Sequence, residues 1–482
     1  MQLLELSISD FHQALRDSRL SAAELVSFYL ERIARLDGKL RSVISVNPNA
    51  LALAQKLDES FKENGYWAGP LHGVPVLVKD NIETAELPTT GGSLSLEGFE
   101  SGRDAPIISR LRAAGAIILA KTNLHEFAIW GETISSIKGQ TLNPYDLNRT
   151  PGGSSGGTGA AVAANFGMVG LGTDTVNSIR SPASACNLFG LRPSMGSVSR
   201  TGIIPYSLRQ DTAGPITRTA ADLALVQSVI AGFEPLDAVT AWGQLLRSRK
   251  EPGSSLEFKD VRLGVLRGFF GSGEGSTEVN RIVKTALEGI GRARAKLVEL
   301  DLPFSSQHIL ERTSVHLHEF QEHLNAYLME SGAPVASLEA IIESGKYSPS
   351  IHENLLKARN LSTRSTDYQE MIFRQEGLRQ WLAELYAAYE LDALVFPHQQ
   401  VPVCPVGWAQ SLRNGVLASV TGFPSLCVPV GFTEPSSSAP LGIPVGMELL
   451  GYPFNEPILI SIAEEIEQEF QPRKAPLEQG WL

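Results

Sequence analysis

Residues 151–158 read Pro151-Gly-Gly-Ser-Ser-Gly-Gly-Thr158, and a short way on the chain continues Gly172-Thr-Asp-Thr-Val-Asn-Ser-Ile-Arg180. Two serines stand inside a glycine run, and a third follows 24 residues after the first. Glycine-rich loops often cradle phosphate. A P-loop, however, needs a lysine and a Ser/Thr after its last glycine, and this run continues Gly156-Gly-Thr-Gly159. A dinucleotide-binding loop opens directly after a strand, whereas this one follows the turn-like Asn143-Pro-Tyr-Asp146. The serines point instead to nucleophilic chemistry. A serine hydroxyl is a weak nucleophile at its own pKa and needs a base. It also needs backbone N–H groups aimed at the developing oxyanion, which glycine-rich turns at strand–helix junctions supply.

Upstream, Val74-Pro-Val-Leu-Val78 is a short apolar run that reads as a buried strand, and it ends at Lys79-Asp80-Asn81. Lysine serves as a base only when neutral near pH 7, which requires burial to lower its pKa by several units. Lys79, at the end of an apolar strand, has that setting. His72, in Leu71-His72-Gly73, reads as a histidine bonded within a turn. His318-Glu319 with His323 misses the HExxH metal spacing by one residue, so the two imidazoles do not share a helix face. With His316 they read as a helical surface carrying several histidines.

Outward from the loop the chain alternates strand and helix. Ser21-Ala-Ala-Glu24 is a capping box that opens an amphipathic helix within a helical region spanning 1–60, with Gly38 as its stop. Asp104 is placed to cap a helix running to Ala114, and 117–120 is a strand. Gly156 to Ala164 is a run of small residues suited to a tightly packed helix, and 169–172 is another strand. Further strands are expected at 261–266, 297–300, 394–396, 426–428 and 447–450, with helices at 277–293 and 456–467. The stretch 305–390 is mostly helical, and 247–256 reads as a surface connection. This alternation implies an α/β fold with a central sheet covered by helices on both faces.

The 482 residues carry a formal charge of −11 with dispersed acids, which argues against nucleic-acid and anionic-membrane partners. Three scattered cysteines suit a reducing compartment. No apolar run is long enough to span a membrane, and the N-terminal residues lack the apolar stretch of a signal peptide. These features suggest a cytoplasmic protein.

Four segments together resemble the amidase signature family: Gly73-Val-Pro-Val-Leu-Val-Lys79-Asp80-Asn81, Lys121-Thr-Asn123, Pro151 to Gly157 and Gly172 to Arg180. The resemblance runs from about residue 20 to 225 and resumes at Thr421-Gly-Phe-Pro-Ser-Leu and from Pro444 to Glu467. It implies an amidase-signature fold over 1–482: a helical region at 1–60, a signature core at 65–225, a variable and largely helical specificity region at 230–400, and a return to the sheet at 410–470. It implies that Ser178 is the nucleophile, that Ser154, joined to Gly153 by a cis peptide, is the bridge, and that Lys79 is the base. The backbone N–H groups of Thr175, Val176, Asn177 and Ser178 would hold the oxyanion, with Ser155, Asp174 and Arg180 in support. No cofactor and no metal is implied. The expected partner is a small-molecule amide, with a homodimer as the expected assembly.

Two departures bear on function. The family usually has Gly-Gly before the nucleophile, and this chain has Val176-Asn177. These side chains are expected to crowd the pocket, on a loop that either keeps ordinary dihedrals or has shifted. In glutamyl-tRNA amidotransferases the amidase-type subunit usually carries Gln after the Ser-Ile-Arg motif, and here Ser181 stands there. The expected activity is therefore an amidohydrolase working through a Ser178 acyl-enzyme. Its alternatives are the amidotransferase role, that of a related esterase, carbamate or urea hydrolase, or that of an inactive binding subunit. Specificity is expected from 125–145, from 305–390 and from 397–406, with Phe127, Trp130 and Trp408 weighed between core and pocket.

Overall fold

The computed structural model describes residues 2–247, 257–302, 304–478 and 481. Its strands are β1 (Val43–Val46), β2 (Pro75–Lys79), β3 (Ile117–Thr122), β4 (Ile134–Ser135), β5 (Gly139–Gln140), β6 (Val169–Asp174), β7 (Phe189–Arg192), β8 (Thr212–Thr217), β9 (Arg262–Leu266), β10 (Lys296–Leu300), β11 (Ala393–Pro397), β12 (Ser425–Phe432) and β13 (Pro444–Leu450). β4 and β5 pair only with each other. The other eleven form one mixed sheet in the order β1-β3-β2-β6-β8-β7-β12-β13-β11-β9-β10, flanked by helices. The α/β expectation therefore holds.

One junction positions the site. β2 lies between β3 and β6 and runs parallel to both. All three strands are buried along their whole length, which is why they read as continuous rather than alternating apolar runs. Lys79 ends β2 and Asp174 ends β6, so both emerge at the same edge of the sheet. Ligands in such sheets collect at the C-terminal ends of parallel strands. The glycine run enters the same edge through the helix Gly156–Ala163, whose small residues allow close contact. A Cβ on Gly157 would lie 2.2 Å from the Asn123 carbonyl oxygen.

Several local expectations change. The capping box at Ser21 and Glu24 is present, but the helix Ala22–Leu40 passes through Gly38 and ends at Arg41 in the left-handed region, φ 55°. The region 1–60 is not wholly helical, because β1 pairs with β3 at the sheet edge. Asp104 does not cap the helix Pro106–Ala113, whose N-cap is Ala105 without a side-chain bond. It instead accepts from Ala85 N and Arg112 Nε, both at 2.8 Å. β7 and β8 are additions to the expected strands. The connection expected at 247–256 lies, apart from Arg247, outside the described residues. The 305–390 stretch folds as helices Ser306–Thr313, His316–Ser331, Leu338–Ser344, His352–Asn360 and Thr366–Tyr389.

Candidate active site

At the shared strand edge, Lys79 Nζ lies 2.7 Å from Ser154 Oγ, 2.8 Å from Thr173 Oγ1 and 3.3 Å from the Thr173 carbonyl. The side chain is fully buried. Burial pulls its pKa from the ordinary lysine range down to about 7, against the opposing pull of Asp174 and Asp211. Lys121, one strand away, is a useful contrast. Its ammonium is saturated by the Ile82 and Pro88 carbonyls and Thr89 Oγ1, with Asp80 at 3.7 Å. Lys121 thus reads as a structural cation, whereas Lys79 contacts a serine that leads toward a cavity.

The Gly153–Ser154 peptide is cis. Gly152 precedes it with φ 71°, and its α-carbon is pressed against Ser181, whose Oγ a Cβ would approach to 2.8 Å. Thr133 braces this turn from the other side, donating to the Gly152 carbonyl and accepting from Gly156 N. Ser155 N–H donates to the Ser178 carbonyl at 3.1 Å, and Ser155 Oγ donates to the Thr173 carbonyl at 3.1 Å. Ser155 therefore ties the backbone of the third serine to the first pair. Among the described residues no hydrogen bond joins the Ser154 and Ser178 hydroxyls.

Thr175, Val176, Asn177 and Ser178 line a cavity of about 350 Å³. None of their four N–H groups donates to a described residue, which leaves them available to an oxygen in the cavity. Neither Val176 nor Asn177 has a positive φ, so the loop accommodates both side chains with ordinary dihedrals. Space for Asn177 comes from Gly415, where a Cβ would lie 2.5 Å from Asn177 Cβ.

Behind the loop stands a fully buried charge network. Asp174 accepts from Arg180 at 3.1 Å, from Arg192 at 2.9 Å and from Ile179 N at 3.0 Å. Arg180 also donates to Glu448 at 2.6 Å and to the Val176 carbonyl at 2.6 Å. Glu448 accepts further from Ser425 at 2.7 Å and contacts His398 Nδ1 at 2.6 Å. Burial alone would raise both acids, but the arginines prevail: Asp174 falls well below the carboxylate range and Glu448 to about 2.

The cavity walls come from Ala128–Trp130, from four of the five helices of the 305–390 stretch, and from Arg413 and Val416. The expected segment 397–406 contributes nothing to this lining. Trp130 lines the cavity, Phe127 is core against Phe320, and Trp408 is 71% exposed, in neither place. His316 and His318 face this cavity rather than an outer surface, and burial lowers His316 to about 4. His72 lies elsewhere, stacked on Trp67 with Nδ1 accepting from Ala68 N. Sequence reasoning missed Thr173, which lies inside the quoted motif, and also Glu448, His398, Gly415 and Arg413. The last four sit more than 200 residues downstream of the nucleophile loop without a motif to flag them.

A family model described as Amidase matches residues 24–460. The chain belongs to the amidase family. As an amidase it is similar along nearly its whole length to the A chain of the glutamyl-tRNA(Gln) amidotransferase of Synechococcus sp. (strain JA-2-3B'a(2-13)), at 32% identity over 98% of this chain and 94% of the relative. Among solved structures it is similar to native peptide amidase from Stenotrophomonas maltophilia, at 34% identity and TM-score 0.85 over 99% of both chains. It is also similar to the corresponding glutamyl-tRNA(Gln) amidotransferase subunit of Thermotoga maritima, at 28% identity and TM-score 0.76 over 99% of this chain and 98% of that one. Among the described residues no helix of this amidase is long and apolar enough to cross a membrane.

Proposed function

We propose that this amidase hydrolyses a carboxylic amide C–N bond through an acyl-enzyme on Ser178. The observation that carries the reading is Lys79: a buried lysine with a pKa of about 7, 2.7 Å from Ser154, at the floor of a cavity lined by Ser178. Neutral Lys79 takes the Ser154 proton as Ser154 takes that of Ser178. Ser178 Oγ then attacks the amide carbon. The new oxyanion accepts hydrogen bonds from the free N–H groups of 175–178. Collapse breaks the C–N bond, and the proton returns through Ser154 to the departing nitrogen, which leaves as ammonia or amine. Water then attacks the acyl-enzyme, giving its proton back to Ser178 by the reverse relay and releasing the acid. Asp174 and Arg180 act as a structural pair that shapes the loop.

A second reading, the amidase-type subunit of a tRNA amidotransferase, is favoured by whole-length similarity to such subunits. Higher identity and TM-score to a peptide amidase, and Ser181 after the Ser-Ile-Arg motif, favour the stand-alone hydrolase. The test is acid and ammonia release by the isolated chain from aliphatic, aryl, peptide and urea or carbamate amides. Ser178→Ala should lower turnover by about 10⁴-fold or more. Activity surviving that change would refute the assignment. Glutaminase activity appearing only with added amidotransferase partner subunits would move the reading to the second.

A further inference from the structure

Buried arginines in this protein have fixed acceptors. Arg180 and Arg192 share Asp174. Arg218 donates to the carbonyls of Val162, Gly167 and Leu6. Arg473 pairs with Glu5. Arg413 differs. It lines the same cavity as Ser178, and its guanidinium makes no hydrogen bond or ion pair with any described residue. It faces Trp130 instead, whose ring centroid lies 5.9 Å from Cζ. Glu132 carries the carboxylate charge that acts on it most strongly, but that group already accepts from Gln410 N at 2.8 Å and Gly131 N at 3.2 Å, with His125 at 3.4 Å.

The guanidinium is nevertheless held in place. Trp130 is anchored by its Nε1–H, which donates to Asn354 Oδ1 at 2.7 Å. Gly131 leaves the room it needs, since a Cβ there would fall 1.8 Å from Arg413 Nη1. Gly131 in turn packs on Gly153, where a Cβ would come 2.9 Å from the Gly131 carbonyl carbon. Arg413 is therefore separated from the Ser154 turn by one glycine. Two further lining residues carry full charge, Lys357 and Glu311, and both are exposed. The lining is thus net positive in a chain of net charge −11.

A planar guanidinium with free donors matches a carboxylate bidentately, and a desolvated fork left unfilled is costly. We propose that Arg413 binds a free carboxylate on the substrate, so that the preferred substrates are amides carrying a second, ionised carboxyl group, such as monoamides of dicarboxylic acids. One guanidinium, with Lys357 out at the rim, suits a singly charged carboxylate better than a phosphate dianion. The inference rests on the amide-hydrolase reading of Ser178.

The experiment compares ammonia release from succinamate, glutaramate and adipamate with that from butyramide, valeramide and hexanamide. Wild type, Arg413→Met, Arg413→Lys and Ser178→Ala are run side by side, with melting curves to confirm folding. For the best chain length, wild-type kcat/KM should exceed that of the neutral amide by about 100-fold. Arg413→Met should abolish that preference mainly through KM and leave the neutral amide within about threefold, with Arg413→Lys intermediate. An equal loss on both series, or no wild-type preference, overturns the inference. Neutral-amide turnover that needs Ser178 but ignores Arg413 would leave the hydrolase reading standing while the inference falls. If no amide turns over, calorimetric binding of glutarate decides. Binding to wild type weakened at least about tenfold in Arg413→Met supports the carboxylate site, and equal or absent binding ends it.

Discussion

The two sides of the nucleophile loop treat charge in opposite ways. Behind it, Asp174, Arg180, Arg192 and Glu448 are fully buried, and each carboxylate oxygen and most guanidinium donors find a fixed partner. In front of it, Arg413 and Lys357 border the cavity without a carboxylate partner among the described residues. A saturated network resists rearrangement and sets the path of the backbone. Through Arg180 it grips the Val176 carbonyl, and because a trans peptide sets its N–H opposite its C=O, it also orients the Asn177 N–H. An unsaturated cation instead leaves its interaction energy for whatever enters the cavity.

That contrast breaks most visibly at Glu448. Glu448→Ala strips Arg180, Ser425 and His398 of a shared acceptor in the interior, so stability should fall by about 3–5 kcal/mol. Denaturant titration measures the loss. A change as mild as that expected of Arg413→Met would show that the network is not the scaffold.

The next effect in size is on pH. Lys79 must be neutral to act, so kcat/KM should drop about tenfold per pH unit below 7 and level off above it. Stability follows the same group with a definite sign. Below pH 7 both folded and unfolded chains hold the Lys79 proton, and the folded state bears the full burial penalty. Between pH 7 and the ordinary lysine pKa of 10.5 only the unfolded chain holds it, so this contribution improves with rising pH. The melting-temperature advantage of Lys79→Met over wild type should therefore be larger at pH 6 than at pH 9. An advantage that does not change with pH would place the lysine proton elsewhere.

Gly415→Ala tests the joint between the two sides. Its Cβ would meet Asn177 Cβ at 2.5 Å and Arg180 Nη1 at 3.1 Å, neither of which yields easily. A loss of about 1–3 kcal/mol is expected, with a fall in kcat as the loop shifts. Pairing it with Asn177→Gly should restore both, and failure to do so would mean the clash is not with Asn177. The smallest effect is expected for Val176→Gly, at about 1 kcal/mol, because this side chain is only partly buried at the cavity edge. Its signature is a broadened acyl range, and an unchanged substrate profile would remove Val176 from the specificity account.

Local chemistry was legible in the residues themselves. The apolar run ending at Lys79, the glycine run around Ser154 and Ser155, and the segment through Ser178 each advertise a buried strand end, a tight turn or a loop, because those depend on neighbours within a few positions. The helix ends were read less well. Gly38 failed as a stop because tertiary packing carried the helix another half turn to Arg41. Asp104 failed as a cap because Arg112 and Ala85 N claimed its carboxylate first.

By itself, then, the sequence determined the α/β class, the family and the three residues brought to one sheet edge. The tertiary structure alone decided how strongly Lys79 is desolvated, which partners saturate Arg180, why Gly415 must lack a side chain, and that Arg413 reaches the cavity unpaired. Burial and charge pairing are sums over atoms from segments hundreds of residues apart. No local pattern encodes such sums, and they exist only once the sheet has closed the distance.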